Sequence, residues 1–335
     1  MPSFLRQYHI LDLTGGGFRL ASRLLADMGA EVIRIVPPDY IPRPADVFYD
    51  AGINLIPLDF NHPDGRAMLL DLMLGTDVFI ESCPPGFLTA YGLSYEQVNR
   101  ENPGLVYASV TPFGQSGPYR QWASSDTVLQ AMSGWLAVTG EPAQPLSLPG
   151  EQAYHTAALF AINGVLLALR RRRQTGRGQY LDIAALESGS AVLDHVLVRH
   201  TIGEVPRRQG NLHWNGMFRI FPCRDGKILL SIHRQWETLV DWMAAEGKAD
   251  DLADDKYRDE AYRRQNIAHI IEVIERWTMN HTAEELAETG QLMRFPWAKV
   301  ASPQAVLNDA HLSGCGFFDI IRYNGNEFKM PEVFR

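Results

Sequence analysis

From His9 to Thr111 the chain switches repeatedly between apolar, β-branched runs and segments whose apolar residues recur at helical spacing. Strands are expected at 9–13, 31–36, 54–59, 77–81 and 105–111, with helices at 18–28, 61–74 and 94–99 between them. The punctuation agrees. Gly29 stops the first helix, Asn61 is the expected N-cap of the second with Pro63 in its first turn, and Ser94 and Gln97 form a capping box. A strand, a helix and a further strand make a right-handed crossover, and its repetition specifies an open, mostly parallel α/β sheet.

The texture then changes. A helix is expected at 126–136, a Pro-rich loop at 140–149, and a long helix at 151–173 whose apolar faces carry Ala153, Ala157, Ala161, Gly164 and Ala168. Such small residues let another backbone approach closely, in a core or at an oligomer interface. Cations at 170–173 suit that helix's C-terminal end. A strand at 179–183 and a helix from Ala184 follow. Residues 200–216 are polar and rich in Gly, Pro and Arg and read as a linker. Beyond it, 217–222 and 228–232 form a hairpin around an Asp225-Gly226 turn, followed by helices at 234–246, 258–278 and 282–289. This second unit is smaller and α+β.

The 335 residues are 46% hydrophobic and 21% charged, which excludes disorder, collagen-like fibre and coiled coil. A net charge of −8 argues against a general nucleic-acid binder. Cys83, Cys223 and Cys315 are far apart and form no CxxC, so neither a disulfide framework nor a cysteine zinc site is expected. The first residues lack the pattern of a secretory leader, and the longest apolar stretch, 157–169, is too short to span a bilayer. A cytoplasmic protein with no membrane association is the expectation.

Gly15-Gly16-Gly17 after the first strand matches G-x-G, but Leu20 stands where the third glycine of a dinucleotide loop belongs and Val36 where its acid belongs. NAD is therefore not expected, and the glycines read as a tight turn that lets a ligand or backbone come near. The ten histidines show no metal-ligand spacing, and no G-x-S-x-G or P-loop occurs. What remains is Gly150-Glu151, opening the long helix, with His155 one turn later on the same face and placed to hydrogen-bond Glu151. An oriented carboxylate there is a candidate nucleophile or general base. From spacing alone a helix-capping glutamate is the plainer reading. Trp122, Trp135 and Trp214 are candidates for an apolar acyl pocket, although tryptophans more often belong to a core or interface.

A further set of segments runs through almost the whole chain: Ile10-Leu11-Asp12-Leu13; Leu25-Ala26-Asp27-Met28-Gly29-Ala30-Glu31-Val32; Leu58-Asp59 with Pro63-Asp64-Gly65-Arg66; Tyr107-Ala108-Ser109-Val110 with Phe113-Gly114; and Thr175-Gly176-Arg177-Gly178-Gln179-Tyr180-Leu181-Asp182. In this order they resemble the family III CoA-transferases, the superfamily of formyl-CoA transferase, carnitine CoA-transferase and the 2-methylacyl-CoA racemases. The resemblance implies a Rossmann-like large domain (1–199, completed by 312–335), a linker (200–216) and a small domain (217–311), with two chains interlocked. It implies acyl-CoA and carboxylic-acid substrates, coenzyme A entering as substrate, and neither metal nor NAD. It also implies a carboxylate nucleophile after a Gly at the start of the long helix, which falls on Glu151, with His155 beside it.

The chain departs from the family pattern. Glu replaces Asp, lengthening the nucleophile by roughly 1.5 Å, a displacement that can cost about 10²-fold in rate. A Lys-Arg-Ser stretch is Asn54-Leu55-Ile56, a Glu-Asn-Phe is Glu81-Ser82-Cys83, an Arg is Ala90, and the racemase His beside Asp126 is Ser125. Positions carried over for CoA binding are Gly15, Gly16, Gly17, Ser82, Cys83 and Asp126, with Arg19, Arg43 and Arg120 as replacements for the lost cations. Three readings stay open: a CoA-transferase using Glu151; a degenerate subunit pairing, as a heteromer rather than a homodimer, with an Asp-bearing paralogue; and an acyl-CoA isomerase using Glu151 and His155.

Overall fold

The computed structural model describes residues 4–204, 207–213, 218–232, 235–323 and 325–331. The chain forms two compact units. The first takes in residues up to Leu136, Ser147–Ile202 and those from Ala310 on; the second takes in Ala137–Leu146 and Gly203–Asp309.

In the first unit the expected alternation is realised as β1 (His9–Leu13), α1 (Leu20–Asp27), β2 (Glu31–Val36), α2 (Asp46–Asp50), β3 (Asn54–Pro57), α3 (Pro63–Leu74), β4 (Val78–Glu81), α4 (Phe87–Ala90), α5 (Tyr95–Val98) and β5 (Val106–Thr111). Then come α6 (Asp126–Met132), α7 (Trp135–Val138), α8 (Gln152–Thr175), β6 (Tyr180–Ala184), α9 (Ala185–Ala191) and α10 (Asp194–Thr201). Six strands pair in the order β3-β2-β1-β4-β5-β6, each pairing parallel. This is the order of doubly wound α/β sheets, in which the winding reverses between β1 and β4. β4 and β5 are buried throughout, as central parallel strands covered on both faces must be. One face packs Leu24, Leu25 and the small residues of α8 (Ala157, Ala158, Ala161, Val165); the other packs Leu69, Met73, Phe79 and Tyr107.

Local chemistry explains the differences from expectation. The N-cap of α3 is His62, whose Nδ1 accepts from the Asp64 N–H, rather than Asn61. The helix expected at 126–136 breaks at Ser133 and Gly134, where φ is +92°. Arg172 does more than suit a helix end: it pairs with Asp77 at 2.6 Å and donates to the Gly104 carbonyl, tying α8 to the loops flanking β4 and β5. By length and composition α8 is apolar enough to cross a membrane, contrary to the estimate from 157–169, but its small side chains are packed into the core of this unit. The 200–216 stretch is no free linker at its start, because α10 runs to Thr201.

In the second unit β7 (Phe218–Cys223) and β8 (Gly226–Ser231) pair antiparallel through the two-residue loop Arg224-Asp225, so Gly226 opens β8 instead of sitting in the turn. Met217, expected to begin the first of these strands, lies outside the described residues. The helices are α11 (Trp236–Ala245), α12 (Glu260–Gln265), α13 (Ile267–Thr278) and α14 (Ala283–Leu292); the expected 258–278 helix is divided at Asn266. β9 (Ala298–Lys299) extends the sheet, Trp277 and Trp297 fill the core, and α15 (Pro303–Leu307) closes the unit. Arg208 donates to the carbonyls of Ala137, Glu141 and Pro142, so the segment read as a linker is also fastened there. The chain returns to the first unit with α16 (Ala310–Gly314) and the hairpin β10 (Phe318–Tyr323) and β11 (Asn326–Pro331), which sequence periodicity did not reveal.

Candidate active site

The carboxyl end of β1 runs into Gly15-Gly16-Gly17, and a buried polar network fixes that turn. Asp12 accepts from Thr14 N and Thr14 Oγ1 at 2.8 and 2.7 Å and pairs with Arg34 Nε at 2.6 Å. Arg34, also buried, donates to the Tyr49 carbonyl at 3.1 Å and pairs with Asp50. The Gly turn and Tyr49 thus share one anchor. Ser82, beyond β4, accepts from Gly15 N at 2.8 Å.

Glu151 stands at the head of α8, half-buried against this turn. Gly16 is in the left-handed region at φ +54°, and a Cβ there would lie 3.5 Å from Glu151 Oε1. A Cβ on Gly17 would meet Glu151 Cβ at 2.8 Å and Tyr154 Cβ at 2.9 Å. What comes near these glycines is neither ligand nor backbone but the side chains that open α8, Glu151 and Tyr154.

The capping reading of Glu151 does not hold. Among the described residues no helix N–H donates to its carboxylate. Asp126 Oδ1 accepts instead from Ala153 N at 2.8 Å and Tyr154 N at 3.1 Å, and Gln130 holds Oδ2 at 2.6 Å. Asp126, carried over as a CoA ligand, is the cap of α8. Nor do Glu151 and His155 bond directly as expected. Tyr49 lies between them, its hydroxyl donating to Glu151 Oε2 at 3.2 Å and lying 2.7 Å from His155 Nε2. Burial, with the charge of Glu151 added, pushes the Tyr49 phenol up to about 12. Burial pushes His155 below the usual imidazole range, against the opposing pull of Glu151 and Asp126. Both groups are neutral near pH 7.

Two of the three replacement cations, Arg19 and Arg43, are engaged by an acid of this chain. Arg19 is buried, pairs with Asp46 at 2.7 Å, donates to the Gly16 carbonyl at 3.0 Å and stacks 4.6 Å over the Tyr49 ring. Arg43 is exposed but folds back on Asp46 at 3.1 Å. Burial works against the Asp46 anion, yet the two arginines overcome it and hold the carboxyl well below its ordinary range. Arg120 is exposed in the loop after β5. Trp135 is core, donating to the Gly189 carbonyl at 2.7 Å; Trp122 is exposed and lies tilted against Tyr119, the ring centroids 4.1 Å apart; Trp214 lies outside the described residues.

Sequence reasoning gave no site role to Tyr49 and Asp46, which carry no spacing signal, nor to Arg34 and Glu81, which it met only within the segments that carry the resemblance. Glu81 is 2% exposed, bonds Ser109 Oγ and accepts from Cys83 N at 2.6 Å, and borders a cavity of about 310 Å³ with Tyr107 and Tyr180. Burial pushes its carboxyl up to about 7, despite those hydrogen bonds. Burial also raises the Cys83 thiol, with Glu81 adding to the effect, so Cys83 is no thiolate.

The doubly wound sheet agrees with the comparisons with known proteins. The profile of CoA-transferase family III matches residues 5–334, and the chain belongs to that family. It is similar to the succinyl-CoA:(R)-benzylsuccinate CoA-transferase subunit BbsE of Thauera aromatica, at 32% identity over 92% of this chain and 81% of the relative. It is similar also to the succinyl-CoA–D-citramalate CoA-transferase of Chloroflexus aurantiacus, at 30% identity over 92% and 81%. Among solved structures, a CAIB/BAIF family protein from Brucella suis superposes with a TM-score of 0.87 at 24% identity, covering 100% of this chain and 96% of its own, and so shares the fold. The protein is a family III CoA-transferase, an enzyme of CoA transfer between acyl-CoA thioesters and carboxylic acids.

Proposed function

We propose that Glu151 is the nucleophile of this transfer and that the donor is succinyl-CoA, which both named relatives use by their names. Glu151 Oε1 attacks the donor thioester carbonyl, the C–S bond breaks, and CoA thiolate leaves an acyl-glutamyl anhydride. The thiolate then attacks Glu151 Cδ and expels the donor carboxylate, which departs with Oε1, leaving a glutamyl-CoA thioester. The acceptor carboxylate attacks the same carbon and displaces the thiolate. The thiolate returns to the acceptor's acyl carbon, releasing the new acyl-CoA and free Glu151. Charge and atoms balance at each step, and no net proton moves.

The observation that carries this reading is the Asp126 cap: with the helix N–H groups satisfied elsewhere, the Glu151 carboxylate is left for chemistry beside the Gly16 backbone. The test is incubation with succinyl-CoA followed by intact mass. A CoA adduct that hydroxylamine removes, and that Glu151→Gln lacks, supports the reading; no adduct on the wild type overturns it.

A second reading keeps one observation of its own. Arg19 and Arg43 are engaged by Asp46, so the CoA phosphates meet fewer free cations, and BbsE is named as a subunit. A non-catalytic partner of an Asp-bearing paralogue fits both; failure to bind CoA by calorimetry, with a second homologous chain co-purifying, would favour it. An isomerase role is disfavoured by the engagement of His155 Nε2 with the Tyr49 hydroxyl, 2.7 Å away.

For assembly we hold to a Rossmann-like large domain of 1–199 and 312–335 with a small domain of 217–311, interlocked in a homodimer or a heteromer in the cytoplasm. Exposed Leu159, Phe160 and Leu167 on α8 and Leu197 and Val198 on α10 support such a covered face.

A further inference from the structure

We infer that the Tyr49 hydroxyl, backed by His155, is the oxyanion donor to the glutamyl carbonyl of the Glu151 intermediate. The inference rests on Glu151 being the nucleophile and adds to it the group that stabilises the second and third steps.

Proton counting sets the direction of the hydrogen bonds. An ionised carboxylate only accepts, and a phenol has a single proton. The Tyr49 proton therefore points at Glu151 Oε2, 3.2 Å away, and the phenol oxygen accepts from His155 Nε2–H at 2.7 Å. This assigns the Nε2–H tautomer to a neutral His155. A phenol that keeps its proton at neutral pH can donate, and one that receives a hydrogen bond donates more strongly.

The two carboxylate oxygens are then distinguishable. Oε1 lies beside Gly16, where a Cβ would come to 3.5 Å and where glycine leaves room for a reacting carbonyl. Oε2 is held by Tyr49. Once Oε1 has become the anhydride bridge, Oε2 is the carbonyl oxygen of Cδ. Attack by the thiolate puts the negative charge on Oε2, onto which the Tyr49 O–H is already directed. Collapse breaks the bond from Cδ to Oε1 and restores the carbonyl, and the proton stays on Tyr49 throughout. The donor is held in advance, as such stabilisation requires: Arg34 holds the Tyr49 carbonyl at 3.1 Å, Arg19 stacks on the ring, and the residue is 9% exposed.

The test is single-turnover formation of the Glu151 adduct from succinyl-CoA, with steady-state kcat and KM, in Tyr49→Phe, His155→Gln, His155→Leu and the Tyr49→Phe/His155→Leu double variant. Loss of one oxyanion donor is expected to slow adduct formation and kcat about 10²-fold in Tyr49→Phe, with KM for succinyl-CoA within about threefold. His155 acts through Tyr49. So His155→Leu is expected to lose about tenfold in kcat, His155→Gln, whose amide can donate to the phenol oxygen, to recover most of it, and the double variant to be no slower than Tyr49→Phe. A wild-type adduct with Tyr49→Phe within about threefold of wild type in kcat overturns this inference and leaves Glu151 as nucleophile. No wild-type adduct overturns the nucleophile and the inference with it. Should Tyr49→Phe fail to fold, the His155 pair decides: equal rates in Gln and Leu overturn the inference, and rescue by Gln alone supports it.

Discussion

Asp126, not Glu151, caps the helix that Glu151 opens: its Oδ1 lies 2.8 Å from Ala153 N. A carboxylate at a helix head normally turns inward to the free N–H groups. With a second acid already there, Glu151 is left to turn toward Tyr49 and the glycine turn.

Asp126→Ala is therefore expected to cost about 1 kcal/mol of stability, a drop of about 2 °C in Tm, with Asp126→Asn recovering most of it. It should also lower the yield of the Glu151 adduct, because Glu151 becomes the only acid at the helix head. A melting curve and an intact-mass assay on the same preparations check both.

Glu151→Asp installs the residue that the family resemblance implies at this position, yet it is expected to be worse here. Shortening by roughly 1.5 Å takes the carboxylate away from Tyr49, and misplacement of that size costs about 10²-fold in kcat. Activity equal to or above wild type would show that the longer side chain is not matched to its surroundings. Steady-state kinetics decide it.

Gly17→Ala places a methyl group at 2.8 Å from Glu151 Cβ and 2.9 Å from Tyr154 Cβ. Both contacts are to atoms fixed on the frame of α8, so neither can swing away. Overpacking of this kind costs about 1–3 kcal/mol, and adduct formation should be lost along with it. Gly15→Ala is the control, since a Cβ there would find only Ser82 Oγ, at 3.9 Å.

Much of the first unit was legible in the sequence because strand and helix periods are local properties. Strands β1 and β2 fall at their expected bounds, and β4 and β5 differ by one residue. The β10–β11 hairpin was not, because its strands are mostly exposed and carry no clean alternation. Glu151 was singled out from its place at a helix start, but Tyr49 stands 102 residues away from it in sequence, and only the fold brings the two together. Arg19 and Arg43 were misread for a similar reason. A cation looks free in a sequence until its acid, here Asp46, is found beside it.

Glu81 gives a pH prediction. Its carboxyl is raised from 4.5 to about 7 by burial. The folded state thus binds the proton more tightly than the unfolded chain does, so the stabilising contribution is complete below about pH 4.5 and is lost as pH rises through about 7. The Asp182 charge adds to the effect of burial, and the hydrogen bonds from Ser109 and Cys83 oppose it without overcoming it. Glu81→Gln is expected to be more stable than wild type at pH 8, by up to roughly 3 kcal/mol, and close to it at pH 5. Urea unfolding at the two pH values measures the difference, and equal values at pH 8 would contradict the prediction.

Glu151, His155, Tyr49 and the glycine turn stand on helices and turns rather than in the strands of the sheet. None of them contributes a rung to the ladder. The short segment that carries Tyr49 and the hydrogen-bonded strands beneath it are consequently separable in descent: the one can be exchanged to suit a new acid while the other is left alone.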